Sequence, residues 1–210
     1  AGTPWKLAPL KGVPIDTAYI GLAYALRGDQ RDAHYVTCCS QVFDMDGGGM
    51  QFVAFEAQDP VADVAEARRN PFLSRDDMRA VIARSVSLYQ GRNGGNLPKR
   101  MVIHKTTAFK ESEIEGAFDA LAGVAEIECV EVSSASCWRG VWLIESVQQK
   151  PPTKPSGYPV PRGTTVVRSG NSALVWVAGN APEVSTKGDY YQGKKSIPRP
   201  LQLIRHAGSG

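Results

Sequence analysis

The sequence has no apolar run of the roughly 18 to 20 residues that crosses a bilayer. Its N-terminus also lacks the basic, apolar and small-residue succession of a signal peptide. Both absences argue against a membrane-spanning or secreted protein, so the expected compartment is cytoplasmic, with no membrane partner. A strong charge of one sign is missing too: 24 Lys and Arg against 21 Asp and Glu leave +3. That balance permits a nucleic-acid partner without requiring one, because binding depends on where charge clusters. Cysteine is limited to Cys38, Cys39, Cys129 and Cys137, with no C-x-x-C, and His34, His104 and His206 are scattered. This spacing does not suit zinc, and the cysteines read as small apolar strand residues kept reduced in a cytosol. There is no internal repeat. The opening Ala1 in place of Met, with a closing Ala-Gly-Ser-Gly, leads us to expect a piece of a longer chain.

What is present suffices for an ordinary core: 210 residues, 42% hydrophobic and 21% charged, fit one large domain or two small ones. Residues 18 to 26 form an apolar stretch short enough for a buried strand, with Gly21 inside it suggesting close backbone approach. His34 to Asp44 and Met50 to Ala57, joined through Asp46-Gly47-Gly48-Gly49, predict a hairpin. After Asn70-Pro71 the period becomes helical at Met78, Val81, Ile82 and Tyr89. Ser74 caps that helix, with Asp77 in the capping-box place, and it stops at Gly91. Arg100 to His104 reads as a strand buried on both faces. A second helix is predicted with Ser112 as cap, Glu115 at N3 and an apolar stripe of Ile114, Phe118 and Leu121. Strands follow at Ile127 to Ser133 and Val141 to Val147. The prolines between Gln148 and Gly163 predict an extended connector that is neither helix nor central strand. Thr164 to Arg168 and Ala173 to Ala178 predict a late hairpin, and the tail from Lys187 is basic.

The order is strand, hairpin, helix, strand, helix, strand, strand and late hairpin. Antiparallel strands followed by a helical crossover to a strand parallel to the first are the ribonuclease-H-like arrangement. The expected fold class is therefore α/β, a three-layer fold with a mixed central sheet and helices on both faces. Another mixed α/β sheet is the alternative, because order alone does not fix pairing.

Four segments in this order resemble the PIWI domain of Argonaute proteins. Pro4-Trp5-Lys6-Leu7 followed by Ala18-Tyr19-Ile20-Gly21-Leu22 is similar to that family's first strand, and Leu97-Pro98-Lys99-Arg100-Met101-Val102-Ile103-His104-Lys105 resembles its fourth. Pro161-Arg162-Gly163-Thr164-Thr165-Val166-Val167 is similar to its "P-x-G-T-v-v" hairpin, and Ile197-Pro198-Arg199-Pro200-Leu201 to its "rPthY" segment. The hairpin carrying Val42 to Gly47 most resembles the short prokaryotic members, which lack the N and PAZ domains. The resemblance spans nearly the whole of residues 1–210, and implies a MID domain N-terminal to Ala1.

In active members, the resemblance implies clustered carboxylates that hold two divalent ions across a scissile phosphate. This sequence departs from the pattern. The first-strand aspartate is replaced at Ala23 and the one after the fourth strand at Thr106, while the fourth ligand position falls near Leu201 or Gln202. A methyl group cannot ligate a cation, and a hydroxyl brings no charge to offset one. Asp16 lies seven residues before Ala23 and so on the opposite face of a strand. Asp44, Asp46 and Asp59 read as turn and surface residues, which leaves Glu56 as the best remaining acid. The expectation is a domain unable to cleave, with no metal of its own and no catalytic residue.

Nucleic-acid binding does not need those carboxylates. Lys105, Arg139, Arg162 and the cluster Lys194, Lys195 and Arg199 are the candidate phosphate contacts, each weighed against a solvated surface charge. Trp142 reads as strand core and Trp138 is open. His104 reads as a structural hydrogen-bond partner rather than a general base. The resemblance further implies a guide RNA or DNA, a target strand, Mg²⁺ at the guide 5′ phosphate with the MID domain, and a partner carrying an APAZ region with a TIR or nuclease effector. Two rivals stand beside this reading: a metal-dependent endonuclease of the same fold using displaced carboxylates, and a protein-binding scaffold.

Overall fold

Ala18, Ile20 and Leu22 recur at the two-residue period of a strand and all are buried, while Ala23 on the other face is exposed. They belong to β1 (Thr17–Arg27), the centre of a sheet in a computed structural model. The structure describes residues 16–27, 35–44, 49–56, 72–146, 149–181 and 197–209. The chain divides into two compact units, Ala1–Glu131 with Arg205–Gly210, and Val132–Ile204.

In the first unit β2 (Tyr35–Asp44) pairs antiparallel with β1 and with β3 (Gly49–Glu56). Helix α1 (Arg75–Arg92) crosses over to β4 (Arg100–Lys105), which lies parallel to β1. Helix α2 (Glu111–Ala120) leads to β5 (Glu126–Ser133), parallel to β4. The antiparallel first three strands and the crossover to a parallel β4 are as expected, the sheet order is β3-β2-β1-β4-β5, and the last residues of β10 (Leu201–Gly208) lie beside β5. There the Ser209 amide donates to the Ile127 carbonyl at 3.0 Å. The core gathers one face of β1, β4 and β5 with Met78, Val81, Ile82 and Val86 of α1 and Ala117 and Leu121 beside them. Burying side chains of this kind contributes roughly 1.5–3 kcal/mol each, which outweighs the modest intrinsic preference of α1.

The start of α1 is as predicted, with Ser74 Oγ accepting from the Asp77 amide at 3.2 Å. The start of α2 is not. Its N-cap is Lys110 and its N3 residue Glu113, two residues ahead of the predicted Ser112 and Glu115. Glu113 Oε2 accepts from the Lys110 amide at 2.9 Å, so the buried carboxylate does the capping from inside the helix. Gly21 also differs from expectation: a Cβ there would meet no atom within 4 Å among the described residues.

In the second unit β6 (Val141–Ser146) pairs antiparallel with β7 (Gln149–Pro159) in a separate two-stranded sheet. The predicted connector is thus a paired strand. Its four prolines are tolerated because an edge strand in a two-stranded ladder needs few of its own donors, and the register shifts twice along it. β8 (Thr165–Ser169) and β9 (Ser172–Val175) form the late hairpin, and the first residues of β10 pair with β9. Val160, Leu174 and Trp176 make this unit's small core.

Candidate nucleic-acid interface

The parallel register of β1 and β4 pairs Gly21 with His104 and Leu22 with Lys105. One residue further come Ala23, still within β1, and Thr106, just past the end of β4, and both are exposed. The two positions that sequence reading singled out as degenerate are therefore neighbours at the same end of the sheet. A methyl group and a hydroxyl stand there, a donor set that does not fit a divalent ion. Among the described residues no three His, Cys, Asp or Glu side chains gather into a metal-holding group. Asp16 is at the other end of β4, paired with Lys99 at 3.4 Å. Asp46, Asp59 and the side chain of Glu56 lie outside the described residues. His104 sits beside Tyr19, with ring centroids 5.9 Å apart. Burial holds its pKa below the ordinary histidine value against the opposing pull of Glu128, which favours the neutral ring.

Lys105 is not a phosphate contact in this structure. It shares the face of Met101 and Ile103, its side chain is 0% exposed, and its Nζ donates to Glu113 Oε2 at 2.5 Å. The rings of Phe72, Phe109 and Tyr24 surround the ammonium at 4.8, 5.1 and 5.9 Å from Nζ to centroid. The other carboxylate oxygen accepts from the Leu73 amide at 3.1 Å. A lysine that ends a strand reads as a surface charge from sequence, and its partner eight residues later carries no signal that the two are enclosed together.

The other candidates lie in the second unit. Pro161 to Thr164 form a turn closed by the Thr164 amide on the Pro161 carbonyl at 3.2 Å, with Gly163 at φ 88°. Positive φ at the third position alone is the type II pattern, which requires glycine there and leaves Arg162 exposed at the corner. The Gly163 amide then donates to the Trp176 carbonyl at 2.7 Å, and Trp176 Nε1 donates to the Pro198 carbonyl at 3.2 Å. Gly140 packs so closely on the same indole that a Cβ there would fall 3.1 Å from its ring. Trp176 is consequently the hub that ties together the backbone beside Arg139, Arg162 and Arg199. All three arginines are exposed, and Lys194 and Lys195 lie outside the described residues. Sequence reading missed the hub, because an indole after a short strand does not reveal which loops its ring and carbonyl hold.

Net charge separates the two units. In the first, Arg75 pairs with Asp119 and Glu115, Lys99 with Asp16, Arg100 with Glu126 and Glu128, and Lys105 with Glu113. In the second, Arg139, Arg162, Arg168 and Arg199 are exposed, and the side chains of its three acids, Glu145, Glu183 and Asp189, lie outside the described residues. Residues 132–204 hold nine Lys and Arg against three Asp and Glu, a charge of +6. The whole chain carries +3, so the remainder carries −3. This partition was available as a signal in the sequence once the boundary was known. Trp142, expected in the strand core, is 50% exposed, as is Trp138. The two-stranded sheet has no second layer over that residue among the described ones. Cys129 is buried in β5 as expected, whereas Cys137 lies exposed in the loop before β6.

No family model and no curated protein matches the chain. Solved structures do. The chain is similar to the Argonaute of Marinitoga piezophila in complex with 5′ OH guide RNA and target DNA, at 10% identity and TM-score 0.57, over 93% of this chain and 24% of that one. It is similar to Clostridium butyricum Argonaute bound to a guide DNA and a 19-mer target DNA, at 16% identity and TM-score 0.57, over 92% of this chain and 21% of that one. A. aeolicus Argonaute gives 12% identity and TM-score 0.56, over 93% of this chain and 23% of that one. At such identities the likeness concerns the fold, and the chain spans less than a quarter of each neighbour's length. The architecture is the ribonuclease-H-like α/β fold, shared with a segment of Argonaute proteins.

Proposed function

We propose that the chain is a nuclease-dead PIWI domain of a short prokaryotic Argonaute, which supports a guide strand paired to its target and signals recognition of invading DNA or RNA to an associated effector. The observation that carries this reading is the second unit's set of exposed arginines within a segment of nine basic and three acidic residues, on a fold shared with proteins solved on guide and target strands. Exposed arginines in a segment with an excess of positive charge are suited to release counterions from a phosphate backbone. Such contacts read shape, and sequence choice comes from pairing between guide and target.

What supports an inactive state in this reading is the donor set at Ala23 and Thr106, a methyl group and a hydroxyl. In this reading Lys194 and Lys195 extend the basic surface, a MID domain holds the guide 5′ phosphate with Mg²⁺, and an APAZ-containing partner brings the TIR or nuclease effector. The test is to load the complete protein with a guide and a labelled complementary target in Mg²⁺ or Mn²⁺. Salt-sensitive binding with an intact target is expected. Divalent-dependent cutting that Glu56→Ala abolishes would instead establish the nuclease with displaced carboxylates, and absence of nucleic-acid affinity would establish the scaffold.

A further inference from the structure

We propose that the exposed indole of Trp138, with the Arg168 guanidinium over its ring, is a stacking platform for a base of single-stranded nucleic acid. The inference rests on the nucleic-acid reading of the second unit and adds to it a place where a base, rather than a phosphate, is held.

The loop that carries Trp138 is fixed from both sides. The Trp138 amide donates to the Oγ of buried Ser136 at 3.2 Å, and Arg139 Nη1 donates to the Trp138 and Cys137 carbonyls at 2.8 and 3.3 Å. The ring itself stays out of the small core of Val160, Leu174 and Trp176. Arg168, in β8, lies 5.6 Å over the ring, within cation–π range. A ring held by its backbone and by a planar cation has little freedom left to lose when a base stacks on it. Every base has a π-face, so such a platform tolerates any sequence. Val167 next to Arg168 is exposed as well, and apolar surface alone would also suit a protein partner. Charge favours the nucleic acid: residues 132–204 carry nine basic against three acidic side chains.

The experiment measures anisotropy of the complete protein with a fluorescein-labelled thymidine strand and with a strand of equal length whose bases are replaced by abasic sites. Trp138→Ala should weaken binding of the thymidine strand about tenfold and leave the abasic strand unchanged. Trp138→Leu, which keeps apolar bulk without a π-face, should behave like the alanine variant, and Trp138→Tyr should retain most of the affinity. Thermal unfolding of each variant accompanies the titrations. Equal losses on both strands, or no loss on either, would overturn the platform. If Arg162→Glu and Arg199→Glu abolish binding while Trp138→Ala costs nothing, the platform falls and the reading of the unit stands. If the unaltered protein binds neither strand, both fall. Intact strand binding by Trp138→Ala with lost self-association would assign the ring to a protein contact and reject the proposal.

Discussion

Replacing Glu113 by Gln removes one charge and little volume. The consequence is set by what the carboxylate holds: an ammonium with 0% exposure, the Lys110 amide that opens α2, and the buried Leu73 amide ahead of α1. Breaking a buried ion pair by removing one partner costs about 3–5 kcal/mol, because the remaining charge has no countercharge and no water. The aromatic rings around Lys105 recover only part of this, since cation–π contacts are worth about 2 kcal/mol at most sites when desolvated. Urea unfolding followed by circular dichroism should therefore show a loss of about 3 kcal/mol for Glu113→Gln. Lys105→Met combined with Glu113→Gln should regain about 2 kcal/mol of it, since the buried ammonium is gone as well. Neither variant should alter the salt dependence of nucleic-acid binding, because Lys105 is enclosed. A single-variant loss below about 1 kcal/mol, or additive losses in the pair, would refute the reasoning.

Gly140→Ala would place a Cβ 2.8 Å from Val160 and 3.1 Å from the Trp176 ring, so a loss of about 1–3 kcal/mol is expected in thermal or urea unfolding. Burial pushes the Cys129 thiol up to about 12. A free thiol ionises near 8.5, so the unfolded chain releases its proton first and stability should fall from about pH 9 toward pH 12, by about 1.4 kcal/mol per pH unit. Substituting Ala at Cys129 should flatten that limb in a pH series of urea midpoints. Ala23→Asp together with Thr106→Asp would set two carboxylates on adjacent strands, and calorimetry should detect Mn²⁺ binding that each single variant lacks.

Much of the first unit was legible because its signals are local and periodic. The two-residue repeat of Ala18, Ile20 and Leu22, the helical repeat of Met78, Val81 and Ile82, and the Ser74 cap each name an element without knowledge of its neighbours. The parallel placement of β4 beside β1 was legible as well, since a helical crossover from the hairpin leads to it. What escaped depends on tertiary contact. Glu113 caps α2 because it is also held by Lys105 and Leu73, and no spacing rule weighs that against the Ser112 hydroxyl. Trp142 has the sequence surroundings of a core strand, yet the two-stranded sheet leaves it exposed. Arg162 was found through its motif, whereas its association with Arg139 and Arg199 runs through Trp176 and could only be seen in space.

The claim on which the account depends is that the second unit, with nine basic and three acidic residues, meets phosphates with its exposed arginines. Its most direct test is the slope of log K against log salt for guide binding, compared between the unaltered protein and Arg139→Ala/Arg162→Ala/Arg199→Ala. Each phosphate contact contributes about 0.7–0.9 to that slope, so the account predicts a slope shallower by about 2 to 3 in the triple variant. An unchanged slope and affinity would contradict it.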